Sequence, residues 1–227
     1  MSAQSEGPRR GFFGFVTRRE RWGLSGRGYL LALTVLTFGG LGCFFRVYPF
    51  FAVTNRMEAR LLVVEGWVNA HAIRAAVDEF RTGAYDRVLA TGGPVEGMGG
   101  YVNDYSTAAS VGAARLKQAG IPADRVQMVP SRVSARDRTY GAATALRKWC
   151  EENKVTPGAI NVLTVDVHAR RTRLLYQMAL GPNVKVGVIA VPNADYDAAQ
   201  WWRYSEGVRA VLGECIAYVY VRFFFFP

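Results

Sequence analysis

Ile160 to Arg171 reads INVLTVDVHARR, and this stretch decides the fold. Its first half, Ile160–Val165, is a short apolar run rich in β-branched residues. It lacks polar alternation, which is the pattern of a strand buried on both faces. Asp166-Val167-His168 interrupts the run, and from His168 the spacing turns helical to about Leu180. A strand, a polar turn and a helix in that order form one arm of a βαβ unit. Similar runs lie on either side: RLLVV at 60–64, RVLA at 87–90, VQMV at 126–129 and VKVGVIAV at 184–191. Helical patterns over 70–81, 105–119, 139–153 and 168–180 separate them, and a last one covers 201–219. Gly120 and Gly181 stand where helices should stop, with Pro122 and Pro182 close behind. The expectation is an α/β protein: a Rossmann-like three-layer fold with a mostly parallel five-stranded sheet.

Ligands of such sheets bind beyond the carboxyl ends of the strands. The residues at those ends are therefore the candidates. Glu65 and Gly66 follow the first strand, with Trp67 next to them, and Glu65 is expected to be exposed at the binding edge as a general base or an ion-pair partner. Thr91, Gly92 and Gly93 follow the second strand and form a tight turn whose amides suit an anion. After the third strand, Arg138 and Thr139 open a helix for which Asp137 is the expected N-cap. The fourth strand ends in Thr164-x-Asp166-x-His168-x-Arg170-Arg171. A helix N-terminus there favours an anion, and an imidazole with two guanidinium groups adds donors. Asp166 would orient His168 or accept a ligand hydroxyl. Catalytic roles are expected for His168, Glu65 and Asp166. Ligand-binding roles are expected for Gly66, Thr91, Gly92, Gly93, Arg138, Thr139, Thr164, Arg170 and Arg171.

The N-terminal quarter reads differently. Residues 28–45 are GYLLALTVLTFGGLGCFF, without a charge, and Arg46 then precedes VYPFFAV. About 20 apolar residues span a hydrocarbon core, a length reached here if Arg46 snorkels. Tyr29 and Tyr48 suit the two interfaces. No clean cleavage site follows, so an uncleaved anchor over residues 28–51 is expected, with the lipid bilayer as its partner. Six arginines and two acids precede Gly28, and they contribute +4 of the chain's +10 charge. Such an excess keeps the flank cytoplasmic. The organisation expected is a basic cytoplasmic segment at 1–27, the anchor at 28–51 and an extracytoplasmic α/β domain at 55–227. Cys150 and Cys215 either pair in that oxidising compartment or remain buried thiols. Phe223–Phe226 either dock on the domain or dip into the bilayer.

Composition excludes other classes. With half its 227 residues hydrophobic and a fifth charged, the chain is neither disordered nor low-complexity. Three cysteines make no disulfide scaffold, and two histidines far apart in sequence give no metal site. A G-x-G-x-x-G fingerprint fails because Val102 stands at the third glycine after Gly97 and Gly99. A P-loop lysine motif and a G-x-S-x-G elbow are absent. No cofactor, metal or nucleic-acid partner is expected.

Several of these motifs together resemble the YdcF/SanA/ElyC-like family, also described as domain of unknown function 218. The layout of a span followed by an α/β domain is similar, as are Thr91-Gly92-Gly93 and Gly120-Ile121-Pro122. The family's T-S-x-x-H-x-x-R pattern is matched by Thr164, His168 and Arg171. Its Asn-Thr-x-x-Asn helix start is matched only at Thr139, because Arg138 and Ala142 replace the asparagines. Asp104 is the nearest counterpart of an acid near the second helix, and Glu214 fits an acid in the last helix. The resemblance covers about 61–220. It implies a Rossmann-like fold at a bacterial inner membrane, facing the periplasm. It also implies a part in envelope integrity and in peptidoglycan or lipid-carrier metabolism.

The functional expectation is an envelope-biogenesis protein that binds a phosphate-bearing, polyprenyl-linked or cell-wall intermediate. One alternative is a non-enzymatic membrane assembly factor. Another, a nucleotide or S-adenosylmethionine binder, draws on one member of the family being associated with that cofactor.

Overall fold

The computed structural model describes residues 10–11, 16–17, 25–96, 102–133 and 136–227. Most of the basic N-terminal segment and Gly97-Met98-Gly99 fall outside the described residues, as does the Asp104 side chain. The chain divides into two compact units, Met1–Phe45 and Arg46–Pro227.

In the first unit a two-residue ladder pairs Arg10–Gly11 with Val16–Thr17. Helix α1, Gly26–Phe51, begins there and is long and apolar enough to cross a membrane. Its stretch 28–45 would rise about 27 Å, close to the thickness of a hydrocarbon core. The side chains along it are exposed, among them Leu30, Leu33, Leu36 and Phe38.

The second unit is an α/β domain in the order β1 (Leu61–Glu65), α2 (Ala70–Thr82), β2 (Arg87–Gly92), β3 (Pro94–Glu96), β4 (Val102–Thr107), α3 (Ala108–Gln118), β5 (Val126–Pro130), α4 (Arg138–Glu152), β6 (Ala159–Val165), α5 (Ala169–Leu180), β7 (Lys185–Val191) and α6 (Ser205–Phe223). The main sheet has five strands in the order β5-β2-β1-β6-β7, and every pairing in it is parallel. The expected fold is therefore present. Strands β3 and β4 form a separate antiparallel hairpin that the sequence reading did not foresee. They take up 105–107, which had been assigned to the helix that in fact starts at Ala108.

Alternate residues of each strand face opposite layers. Leu62, Val64, Val88 and Ala90 pack under α2 and α3 with Ile73, Val77 and Leu116. Leu61, Val63, Leu89 and Val162 pack under α4 and α5 with Leu146 and Tyr176. Gly120 has φ +101° and Gly181 φ +79°, so both helix stops use the backbone freedom that glycine has. Asp137 occupies the N-cap position of α4, but its side chain makes no capping bond and its backbone is left-handed, with φ 57°. The expected side-chain cap is thus not formed.

A third apolar cluster joins the last turns of α1 to the domain. Phe51 is buried with Val167, Tyr196, Trp201 and Val211. Trp201 belongs to a 3₁₀ segment, Ala198–Arg203, that precedes α6 rather than to α6 itself. Residues 46–51, expected to lie within the bilayer span, belong to the globular unit. Cys150 and Cys215 are free thiols. Of the terminal phenylalanines, Phe225 packs against Tyr140 at 5.2 Å between ring centres, whereas Phe223, Phe224 and Phe226 are exposed.

Candidate functional site

Strand order reverses between β1 and β6: the chain runs outward from β1 through β2 to β5, then returns to the other side of β1. Loops part at such a point and leave a crevice at the carboxyl ends of the strands. A cavity of about 440 Å³ lies there. Glu65, the last residue of β1, forms part of its floor together with Thr91 at the end of β2. Gly92, Gly93 and the first residues of α4 form one wall. His168 and Arg171 stand opposite, and Ala217, Tyr220 and Val221 of α6 close the apolar side.

Glu65 is only 2% exposed, so it is a buried acid and not an exposed one at the edge. It continues the in-out alternation of β1 and is enclosed by the neighbouring strand and helix. Its carboxyl accepts hydrogen bonds from Thr164 Oγ1 and, at 3.4 Å, from Thr172 Oγ1. Thr164 is itself fully buried and lies behind Glu65 rather than on the cavity wall. Thr91 Oγ1 pairs with Tyr176 Oη at 2.8 Å. Burial, and then the charge of Glu65, push the Tyr176 phenol well above its usual range.

His168 ends a 3₁₀ turn, Asp166–His168, that leads into α5. Its Nδ1 lies 2.7 Å from Glu214 Oε1, and Arg171 grips the same carboxylate through two bonds, Nε to Oε2 and Nη2 to Oε1, both 2.8 Å. Burial disfavours the charge on Glu214, but the bonds from Arg171 and His168 outweigh it and hold the group at about 2. Arg171 Nη2 also lies 2.9 Å from the same Nδ1, so both neighbours meet that side of the ring and leave Nε2 on the other. That atom is buried without a hydrogen-bond partner and lies 3.8 Å from Glu65 Oε2. The Trp67 ring meets the imidazole edge-on at 5.3 Å and limits its rotation. The imidazole as a whole borders the cavity and is fixed by a carboxylate, an arrangement suited to exchanging a proton with a bound molecule once the ring is reached.

The start of α4 forms another part of the lining. Asp137, Arg138, Thr139 and Ala142 line the cavity at the start of α4, and no side-chain cap engages the first turn there. By contrast α3, whose Ala108 also borders the cavity, is closed by a Thr107–Ser110 capping box. An uncapped helix start with an arginine and a hydroxyl suits an anionic group.

Besides Thr164, three candidates lie outside the cavity lining. Asp166 is buried away from the cavity, where the phenols of Tyr48 and Tyr196 donate to its two carboxyl oxygens. Burial raises its affinity for a proton more than those bonds lower it. It therefore orients the turn, while Glu214 orients His168. Arg170 donates its Nε to the Phe50 carbonyl and stacks on the Phe50 ring at 3.9 Å, outside the cavity. Gly66 is a packing residue: a Cβ there would run into the Ala108 carbonyl. Arg171 does line the cavity, but its charge is committed to Glu214. The sequence reading missed Trp67 as a ring support, Leu175 and Tyr220 as apolar lining, and the geometric role of Glu214. The signals for Glu214 were its fit to an acid in the last helix of the family the chain resembles and its place in the largely apolar run 207–221. Among the described residues no group of three or more His, Cys, Asp or Glu side chains forms a metal site. Comparison with known proteins finds no matching family model, no matching curated protein and no matching solved structure.

Proposed function

We propose that this chain is a single-pass protein of a bacterial inner membrane whose globular domain faces the periplasm and acts in envelope biogenesis. Its cavity binds a phosphate-bearing ligand of the polyprenyl-linked or cell-wall class. Helix α1 supports the anchor, and the arginine excess before it supports the orientation. The family resemblance of Thr164, His168 and Arg171 points the same way.

One observation carries the binding reading: the uncapped start of α4, with Arg138 and Thr139, and the imidazole of His168 line the same cavity. The phosphate sits at the helix start. His168 and Glu65 contact the part of the ligand that exchanges a proton, and the apolar side formed by α6 receives its hydrocarbon portion. Tethering concentrates the cavity where lipid-linked molecules are found.

The test uses the detergent-solubilised full chain with inorganic pyrophosphate and farnesyl diphosphate as probes. Binding to the folded state raises the apparent Tm by mass action. Farnesyl diphosphate should stabilise the wild type, and the shift should be lost in Arg138→Ala and in His168→Ala. A wild type indifferent to both probes overturns the reading.

A further inference from the structure

Helix α6 carries apolar residues on two opposite faces. Its inward face supplies Val211 and Val221 to the interior, and Ala217 to the cavity wall. Its opposite face carries Leu212, Ile216, Val219 and Phe223, exposed by 53, 73, 48 and 62%. Spacings of four, three and four residues place these on one stripe, and exposed Phe224 and Phe226 follow it. An apolar face on each side calls for an apolar neighbour on each side, and the domain provides only one. A contiguous exposed apolar surface of this kind marks an interaction site.

Two further observations identify the neighbour. Tyr218 of α6 packs edge-on against Phe50 and Phe51 at 5.8 and 5.6 Å, so the middle of α6 lies beside the residues through which α1 joins the domain. The charge pattern also suits lipid. Glu206, exposed in the first turn of α6, is paired with Arg209; beyond it the only acid is Glu214, which is turned inward onto Arg171, and Arg222 stands at the far end. From Leu212 to Phe226 the outward face therefore carries aromatic and aliphatic residues and no acid, which matches a helix lying in a membrane interface.

We propose that the outward face of α6 lies on the bilayer that α1 enters, embedded to the depth of its apolar side chains. This rests on the reading of α1 as a membrane span. It makes α6 a partition with lipid on one side and the cavity on the other.

The experiment places the photoreactive residue p-benzoylphenylalanine at Leu33, Ile216 or Lys148 of the full chain, reconstituted in nanodiscs of phosphatidylethanolamine and phosphatidylglycerol. All three side chains are exposed, so the substitutions leave the core intact. Lipid adducts at Leu33 and Ile216, and none at Lys148, are the expected result. A lipid adduct at Leu33 with none at Ile216 overturns the proposal while the anchor stands. So does an adduct from Ile216 to a second copy of the chain. Absence of lipid adducts at Leu33 overturns the anchor, and the proposal with it.

Discussion

His168 Nδ1 and Glu214 Oε1 lie 2.7 Å apart across 46 residues of sequence, and this contact holds the imidazole in place at the cavity. Glu214 also neutralises Arg171, so three side chains from α6 and the start of α5 form one unit. Replacing Glu214 by Gln leaves a buried guanidinium without its counter-charge and should cost about 3 kcal/mol, read by chemical denaturation in detergent. The pH dependence has a defined sign. Glu214 is depressed from 4.5 to about 2, so its stabilisation is present above pH 4.5 and is lost as pH falls toward 2. Wild type should lose stability across that interval more steeply than Glu214→Gln. Parallel curves would show that the carboxylate contributes nothing.

Asp166 gives a second, opposite dependence. It is held by Tyr48, 118 residues away, and by Tyr196. Burial, outweighing these bonds, raises its carboxyl above 3.8, so the folded state keeps a proton longer than the unfolded chain and stability falls as pH rises through that window. Tyr48→Phe removes one donor to the charged form and should cost about 1–3 kcal/mol. The loss should be larger at pH 8 than at pH 4, where a protonated Asp166 needs the donor less. An equal loss at both values would mean that Tyr48 acts through packing alone.

Removing residues 1–45 should leave the domain intact, whereas removing residues 1–54 should not. The second deletion takes away Phe51, which is 4% exposed in the cluster with Val167 and Trp201, together with Tyr48. Loss of a buried phenylalanine alone costs about 3–5 kcal/mol. Thermal unfolding of the two truncations should differ accordingly. A shorter chain as stable as the longer one would contradict the assignment of 46–51 to the globular unit.

Arg138 and Arg170 should separate cleanly. Arg138 lines the cavity, and Arg170 stacks on Phe50 outside it. Arg138→Ala should abolish the thermal shift produced by farnesyl diphosphate with little change in the unliganded Tm. Arg170→Ala should keep the shift and lower the unliganded Tm slightly. The reverse pattern would return Arg170 to the site.

Gly66→Ala should destabilise the fold by about 1–3 kcal/mol, because the added carbon meets the backbone carbonyl of Ala108 and neither side can yield without moving α3. Because α3 borders the cavity through Ala108, ligand affinity should drop too. A variant of wild-type stability would show that the approach of α3 is loose.

The comparison of sequence with structure is instructive at the level of single residues. His168 and Arg171 were legible as a pair, since a spacing of three puts them on one helix face. Arg170 shares their composition but points elsewhere, and only the position of Phe50 shows where it goes. Glu65 was found but misplaced: it is the last residue of a strand buried on both faces, and the acid was instead expected in solvent. Asp166 was assigned to the ligand because both tyrosines that hold it are remote in sequence.

By itself, then, the amino-acid order determined what depends on local burial. Strands covered on both faces must be apolar throughout, glycines must sit where a helix stops, and a membrane-length helix must be uncharged. These demands are met within a few neighbouring residues, so they are written in composition and spacing. Only the tertiary structure decided which polar groups meet: Glu214 with His168, Thr164 with Glu65, Tyr48 with Asp166. Those contacts join elements separated by 46 to 118 residues, and they form because packing must bring each buried charge or hydroxyl within reach of a partner.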